Sequence, residues 1–180
     1  MARRLIFLLG GARSGKSHYA ESWARAQGKR VLFVATAQAT DADMRERIAD
    51  HRAARPPNWR TLEAPIDTAR QIASCAVEHD TLILDCVTLM TSNILLSLPE
   101  PATQKEANDA ANGEIERLLE VQAQSDATWL VVSNEVGMGV VPPTRLGNLY
   151  RDMLGRVNQR IAAQADEALL LVAGIAWRLK

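Results

Sequence analysis

The eight residues Gly10-Gly11-Ala12-Arg13-Ser14-Gly15-Lys16-Ser17 constrain the fold of this chain more than any other stretch. They fit the pattern G-x-x-x-x-G-K-[ST] of a phosphate-binding loop, or P-loop. An apolar run typical of a buried parallel strand precedes the motif, and a run of good helix formers follows it. Glycines allow a tight turn that points backbone N–H groups at phosphate oxygens, and the positive end of the following helix adds to this field. The motif therefore predicts nucleotide binding, with Lys16 on the β- and γ-phosphates and the Ser17 hydroxyl on Mg²⁺.

Length and composition are typical of one globular domain spanning residues 1–180. Apolar residues make up 47% of the chain, and 21 basic side chains balance 21 acidic ones. A net charge of zero disfavours nucleic acid or an anionic membrane as the main partner. No apolar run reaches the roughly 18 residues of a membrane span. Cys75 and Cys86 are too few for a disulfide framework, so we expect a cytoplasmic protein.

Strand-like and helix-like segments alternate along the chain, which predicts an α/β fold with a mostly parallel sheet. We expect buried strands at 5–9, 31–35, 81–85, 128–133 and 167–172, and a short strand at 59–63. We expect a first helix that begins near residue 16 and ends near residue 27, and a second at 41–54 with Asp41 as its N-cap. Further helices are expected at 66–77, 89–98, 103–124 and 145–164. The alternating tail, residues 175–180, favours an antiparallel edge strand.

Polar side chains follow several of the predicted strands. Asp85 ends an apolar strand, where P-loop proteins place a carboxylate that holds Mg²⁺; the alternative is a carboxylate that only caps the next turn. Glu63 follows the short strand and could accept hydrogen bonds from a base or a ribose. Asn134 and Glu135 begin a loop rich in Gly and Pro, a composition that favours a binding site over a plain connection.

His51 is the histidine with the most suggestive surroundings. Arg47 and Arg55 lie four residues before and after it, on the same helical face if the helix continues that far. Nearby cations disfavour the imidazolium form, and a neutral imidazole is a nucleophile. The alternative is a histidine at the edge of an apolar stripe beside solvated arginines. Arg52 and Arg55 are candidates for binding an anion, or are simply solvated.

The chain resembles the bifunctional adenosylcobinamide kinase / adenosylcobinamide-phosphate guanylyltransferase family of cobalamin biosynthesis. The resemblance rests on motifs in the correct order over most of the chain. They are the P-loop, Ala35-Thr36-Ala37, Asp43-Met44 with Arg47-Ile48 and His51, Arg55-Pro56, Trp59-Arg60-Thr61-Leu62-Glu63, Leu84-Asp85-Cys86-Val87-Thr88, Ser133-Asn134-Glu135-Val136-Gly137-Met138-Gly139-Val140-Val141-Pro142 and Arg151-Asp152-Met153-Leu154-Gly155-Arg156-Val157-Asn158-Gln159. The P-loop alone is generic, whereas the Asn-Glu-Val-Gly-Met-Gly loop with the His51 segment is more specific.

This resemblance implies two reactions: an NTP phosphorylates adenosylcobinamide, and GTP then transfers GMP to that phosphate, releasing pyrophosphate. It implies GTP and ATP as substrates with Mg²⁺, a RecA-like α/β/α P-loop NTPase fold, a homotrimer, and a guanylyl-histidine intermediate at His51. The implied nucleotide site comprises Gly10, Gly11, Ala12, Arg13, Ser14, Gly15, Lys16, Ser17, Ala35, Thr36, Ala37, Arg52, Ala53, Ala54, Arg55, Glu63 and Asp85, with Ser17 and Asp85 on the metal.

Two other functions compete with this interpretation. The first is a P-loop kinase for a nucleoside or another metabolite, with His51 in a structural role. The second is a RecA-like ATP-driven motor or nucleic-acid-binding module, which the neutral charge and the lack of a basic stripe disfavour.

Overall fold

The computed structural model describes residues 4–27, 30–39, 42–53 and 55–180, except for the side chains of Asp43, Met44 and Arg47. Within these ranges the strands are β1 (Leu5–Gly10), β2 (Val31–Ala35), β3 (Arg60–Glu63), β4 (Thr81–Asp85), β5 (Thr128–Val132), β6 (Glu167–Val172) and β7 (Ile175–Arg178). The helices are α1 (Lys16–Gln27), α2 (Ala42–Ala53), α3 (Thr68–Ala73), α4 (Val87–Ser97), α5 (Gln104–Gln124) and α6 (Arg145–Gln164).

The strands form one sheet in the order β3-β2-β4-β5-β1-β6-β7. All pairs from β3 to β6 are parallel, and β7 pairs antiparallel with β6, as the alternating tail predicts. Because the six parallel strands point the same way, their carboxyl ends meet at one edge. In an open α/β sheet this edge is where ligands bind.

Both faces of the sheet are covered, which explains why its strands are apolar at successive positions. In β1, Leu5 and Phe7 face a core shared with helices α3 to α6, whereas Ile6 and Leu8 face a second core. The second core includes Ala20 of α1. The result is the three-layer α/β/α arrangement expected from the sequence.

Most predicted element boundaries agree with the structure, but α3 is much shorter than the predicted helix at 66–77. Asp67 adopts a left-handed conformation (φ 47°) and so breaks the chain path ahead of Thr68. Of the apolar positions that suggested the longer helix, Ile66 is exposed, whereas Ala69 and Ile72 are buried. The predicted N-cap Asp41 and the predicted helix stop at Gly28 lie outside the described residues.

Helix α4 starts slightly earlier than predicted, and helix α5 carries a clear start signal. Helix α4 begins at Val87, two residues before the predicted start, directly after Asp85-Cys86. Helix α5 starts with a capping box, in which the Thr103 hydroxyl accepts from the Glu106 backbone N–H and the Glu106 carboxylate accepts from Thr103. None of the described helices is both long and apolar enough to cross a membrane.

Candidate active site

A cleft of about 550 Å³ opens at the carboxyl edge of the sheet. The P-loop, the strand ends and helix α2 all contribute to its wall. The lining residues are Ala12, Arg13, Ser14, Gly15, Lys16, Ser17, His18, Phe33, Ala35, Ala37, Ala39, Ile48, His51, Arg52, Arg55, Glu63, Asp85, Cys86, Thr88, Leu89, Val132 and Asn134. A volume of this size suits one small ligand.

Two glycines make the backbone path of the P-loop possible. Gly10 has a φ of 150°, and a Cβ there would lie 2.4 Å from the carbonyl oxygen of Leu171. Gly15 has a φ of 98°, and a Cβ there would lie 3.1 Å from the Cα of Gly174. The loop also packs on the β6–β7 turn, since the Gly174 N–H donates to the Ser14 carbonyl at 2.9 Å. Side chains are therefore excluded at both glycines by backbone conformation and by neighbouring backbone.

Lys16 is buried at the base of the P-loop. Its ammonium donates to the Gly11 carbonyl oxygen at 2.7 Å and lies 3.5 Å from the Ser14 hydroxyl oxygen. Burial lowers the pKa of Lys16, and the nearby Asp85 opposes that shift. These partners hold the cation over the loop, where a phosphate oxygen would be a stronger acceptor than a neutral carbonyl.

Asp85 lies half-buried at the end of β4 and faces the P-loop. Burial raises the pKa of its carboxyl group, whereas a hydrogen bond from Ser17 and the proximity of His51 and Arg55 act in the opposite direction. The Ser17 hydroxyl and the Asp85 carboxylate therefore lie together in the cleft. A carboxylate surrounded by donors and cations in a cleft is typical of a functional site.

His51 lies on the wall formed by helix α2, in the same cleft as Lys16 and Asp85. Arg55 would share a helical face with His51 only if the helix continued to residue 55, and α2 ends at Ala53. Arg55 instead turns into the cleft, where its guanidinium carbon lies 3.6 Å from the centroid of the Phe33 ring. The Arg47 side chain, which was also expected on that face, lies outside the described residues.

Arg52 and Glu63 form an ion pair at the cleft rim, with 3.2 Å between Arg52 Nη1 and Glu63 Oε1. Both side chains are more than half exposed, so the pair adds little stability on its own. Its exposure leaves both groups accessible to a ligand.

Thr36 connects the ends of β2 and β4 rather than lining the cleft. Its hydroxyl donates to the Cys86 carbonyl oxygen at 2.7 Å and accepts from the Cys86 N–H at 2.8 Å. Asn93 adds a second connection, because its side-chain amide donates to the Thr36 and Pro65 carbonyl oxygens. These bonds fix the strand that carries Asp85 against its neighbour.

Helix α6 and α4 fix the end of β5. The Ser133 hydroxyl donates to Asn158 Oδ1 at 2.7 Å, and Asn158 Nδ2 donates to the Asn134 carbonyl oxygen at 3.0 Å. The Asn134 N–H donates to Thr88 Oγ1 at 2.7 Å, and the Tyr150 hydroxyl donates to the Thr88 carbonyl oxygen at 3.1 Å. This network holds Asn134 and Thr88 in the wall of the cleft.

Comparison with known proteins assigns the chain to a family. Residues 6–179 match the family model described as cobinamide kinase / cobinamide phosphate guanyltransferase. The chain belongs to this family. It is 40% identical to the bifunctional adenosylcobalamin biosynthesis protein CobU of Salmonella typhimurium, over 98% of this chain and 99% of that protein.

Two further relatives of this cobinamide kinase / guanyltransferase chain support the same family assignment. It is 39% identical to CobU of Escherichia coli, over 98% of this chain and 99% of that protein. It is 42% identical to the bifunctional adenosylcobalamin biosynthesis protein CobP of Pseudomonas aeruginosa, over 96% of this chain and 95% of that protein. The matches run nearly end to end, so they cover the P-loop and the His51 segment alike.

The fold of this family member is also found in a solved structure of a different protein. The flagellar accessory protein FlaH from Methanocaldococcus jannaschii superposes with a TM-score of 0.56 at 14% identity, covering 99% of this chain and 79% of that one. At this identity the likeness concerns the fold alone. It agrees with the RecA-like P-loop architecture that the family resemblance implies.

The cleft of this family member contains most, but not all, of the predicted nucleotide-site residues. Gly10, Gly11, Thr36 and Ala53 are described but do not line it, and Ala54 lies outside the described residues. Gly10 and Thr36 act on the cleft indirectly, by shaping the P-loop and joining strand ends. Sequence reasoning missed Phe33 and Val132, which read as core strand residues, and singled out neither Thr88 nor Leu89.

Proposed function

We propose that this chain phosphorylates the aminopropanol hydroxyl of adenosylcobinamide with a nucleoside triphosphate. It then transfers GMP from GTP to the new phosphate, giving adenosylcobinamide-GDP and pyrophosphate. Membership of the family supports both reactions. The relatives over 96–98% of the chain are named as bifunctional, which supports two activities in one polypeptide.

The observation that carries the proposal is that His51 shares one cleft with the phosphate-binding loop. A kinase needs the loop, Lys16 and a carboxylate, but it does not need a histidine in the same cleft. A nucleotidyltransferase that works through a covalent intermediate does need such a nucleophile. The shared cleft therefore favours the bifunctional enzyme over a simple metabolite kinase.

In the proposed transfer, a ring nitrogen of neutral His51 attacks the α-phosphorus of GTP. A P–N bond forms as the bond from the α-phosphorus to the bridging oxygen breaks, and pyrophosphate leaves with the electron pair. A phosphate oxygen of the cobinamide phosphate then attacks the same phosphorus and displaces the histidine nitrogen. Two in-line displacements restore His51 for the next turnover.

The P-loop residues serve both reactions in this proposal. Lys16 and the loop N–H groups bind the β- and γ-phosphates, so they stabilise charge on a transferred γ-phosphoryl group in the kinase reaction. In the guanylyl transfer they stabilise the departing pyrophosphate instead. Arg55 supplies a further cation in the same cleft.

The residues present fit a Mg²⁺ ion bound together with the nucleotide. Ser17 and Asp85 lie together in the cleft and offer oxygen ligands of the kind that Mg²⁺ prefers. Among the described residues no group of three or more His, Cys, Asp and Glu side chains could hold a metal, which suits an ion completed by water and substrate phosphates. We propose Ser17 and Asp85 as its ligands, where the ion would neutralise negative charge on the phosphate oxygens.

Separate assays of the two reactions test the proposal. His51→Ala should reduce guanylyl transfer by at least ~10³-fold because the nucleophile is lost, and it should keep kinase activity within about tenfold. Lys16→Ala should reduce both reactions by at least ~10²-fold because both use the same phosphate site. The matched histidine control is His79→Ala, since His79 lies outside the cleft and bonds to the Val77 carbonyl.

Equal loss of both activities in a folded His51→Ala protein would contradict this division of roles. Loss of neither activity would leave His51 in a structural role, as in the competing metabolite-kinase interpretation.

We also propose that the chain forms a homo-oligomer, a homotrimer by family resemblance, in the cytoplasm. The β6–β7 hairpin supports self-association, because Val172, Ile175, Trp177 and Leu179 are each more than half exposed. Val172 pairs with Ile175, and alternate residues of a strand share a face, so these side chains form one apolar surface at the sheet edge.

A further inference from the structure

The loop that follows β5 exposes apolar side chains beside the cleft. Met138 is 83% exposed, Val140 95% and Val141 65%. Single exposed apolar residues are ordinary on protein surfaces, but three within four positions form a patch that calls for a partner. We refer to Met138, Val140 and Val141 as the loop patch.

Hydrogen bonds fix the first part of this loop. The Asn134 backbone is bonded to Thr88 and Asn158, as described above, and the Glu135 N–H donates to the Gly10 carbonyl oxygen at 3.1 Å. The Gly137 N–H donates to Glu135 Oε1 at 2.8 Å. The loop therefore leaves the cleft along a path tied to the start of the P-loop.

The second part of the loop is fixed as well. Asn148 Nδ2 donates to the Pro142 carbonyl oxygen at 2.8 Å, and the Thr144 hydroxyl accepts from the Gly147 N–H at 3.1 Å as the N-cap of α6. The loop patch lies between two anchored ends. Such a loop holds its apolar side chains in a defined place, so a ligand that binds there loses less conformational entropy than it would on a mobile loop.

The patch also lies within reach of the cleft. Asn134 lines the cleft, and Met138 is only four residues further along the chain. At about 3.3–3.6 Å per residue, even a fully extended chain keeps Met138 within roughly 14 Å of Asn134. A ligand that projects out of the cleft can therefore contact it.

The acceptor substrate is such a ligand. A cleft of about 550 Å³ has room for one nucleotide. Cobinamide is a macrocycle with a peripheral aminopropanol arm, so only the arm can enter beside the nucleotide. The macrocycle itself must lie on the surface at the mouth of the cleft. Its ring carries methyl groups that suit apolar contacts and amide arms that stay in water.

We propose that the loop patch is the docking surface for the corrin ring of the acceptor. The inference rests on the proposed function and adds the place where the macrocycle binds. Met138 supplies a flexible thioether that adapts to an irregular surface, and the two valines supply rigid apolar contacts. The competing occupant is a second copy of the chain, but the exposed face of the β6–β7 hairpin offers a separate apolar surface for self-association.

The test compares Met138→Ser/Val140→Ser with wild type. Equilibrium dialysis with cobinamide, followed by its visible absorption, measures binding directly, and steady-state assays give KM for cobinamide and for GTP. We expect the dissociation constant and KM for cobinamide to rise about tenfold or more, since two apolar contacts are lost. KM for GTP and the labelling of the protein by GTP should stay at wild-type values.

The matched control is Leu96→Ser. Leu96 is 64% exposed on α4 and is not part of the loop patch, so the variant loses an exposed apolar side chain of similar size. Cobinamide binding by this variant should equal that of wild type. Val140→Lys provides a second patch variant, because a charge on a 95% exposed position leaves folding intact while it opposes apolar docking.

Each remaining outcome overturns the inference. Unchanged cobinamide binding in both patch variants, with normal GTP labelling, would refute the docking surface alone. A lower molecular mass of the patch variants in light scattering would identify the patch as a subunit contact instead. Wild-type protein that neither binds cobinamide nor is labelled by GTP would refute the proposed function, and the inference with it.

Discussion

At the scale of single residues, Arg55 shows how the cleft is prepared for an anion. Burial lowers the pKa of its guanidinium, and its carbon atom stacks 3.6 Å from the Phe33 ring centroid. Its Nε atom is buried, and no described residue accepts a hydrogen bond from it. A half-buried cation with an unused donor is costly unless a ligand pairs with it. A nucleotide phosphate or a guanine carbonyl would be such a partner.

Arg55→Lys is therefore not a conservative change. The ammonium lacks the planar group that stacks on Phe33 and the fork that binds oxygen atoms in pairs. We expect KM for GTP to rise about tenfold, which corresponds to about 1.4 kcal/mol. Steady-state guanylyl transfer measures it, with Arg60→Lys on exposed β3 as the control. A wild-type KM in Arg55→Lys would show that the guanidinium does not contact the nucleotide.

The residues that sequence alone identified are those whose role depends on local chain geometry. Gly10, Gly15 and Lys16 belong to one short motif, and the backbone angles of both glycines follow from it. The stacking of Arg55 on Phe33 was not predicted, because it depends on where α2 ends and on a residue from another part of the chain. Such contacts between distant parts of the chain leave no pattern in a single sequence.

At the scale of secondary structure, helix α6 supports the cleft without lining it. Asn158 is buried, accepts from the Ser133 hydroxyl and donates to the Asn134 carbonyl. The side chain therefore satisfies two polar groups that would otherwise lie unpaired at the end of β5. Loss of these hydrogen bonds should therefore lower the free energy of unfolding by a measurable amount.

Asn158→Leu should lower the free energy of unfolding by about 2–3 kcal/mol, because buried partners are left without hydrogen bonds. Ser133→Ala should cost about 1 kcal/mol, and the double variant less than the sum, since the two residues share one bond. Urea unfolding measures all three, with exposed Gln159→Leu as the control. A cost of less than about 0.5 kcal/mol for Asn158→Leu would show that water replaces the amide at no penalty.

The helices differ in how well their bounds follow from the sequence. Helix α6 spans the predicted residues 145–164, because Thr144 caps its start and its apolar stripe is clear. Helix α3 was predicted at twice its length, because alanines fit a helical stripe without requiring one. The left-handed turn at Asp67 depends on tertiary packing, and the pattern of apolar residues does not report it.

At the scale of the whole molecule, the sheet brings the functional segments together. The P-loop follows β1 and Asp85 ends β4, and β5 lies between these two strands. Alternation of strands and helices predicted the parallel sheet, and the tail pattern predicted its antiparallel edge. The order of the strands was not predicted, because it depends on pairing between segments far apart in the chain.

The exposed apolar face of the β6–β7 hairpin leads to a prediction about assembly. Trp177→Glu should shift the protein from the proposed trimer towards single chains, since it places a charge among Val172 and Ile175. Light scattering coupled to size-exclusion chromatography measures the mass, with Leu96→Glu as the control on α4. An unchanged oligomer in Trp177→Glu would place the subunit contact elsewhere.

One cleft joins the phosphate-binding loop to His51, the proposed nucleophile. Incubation of the protein with α-³²P-GTP and Mg²⁺, without any corrinoid, tests this role of His51 most directly. We predict a covalent label that acid removes and alkali does not, absent with γ-³²P-GTP and absent from a folded His51→Ala protein. A wild-type protein that takes up no label, or a His51→Ala protein that is labelled as well as wild type, would contradict that role.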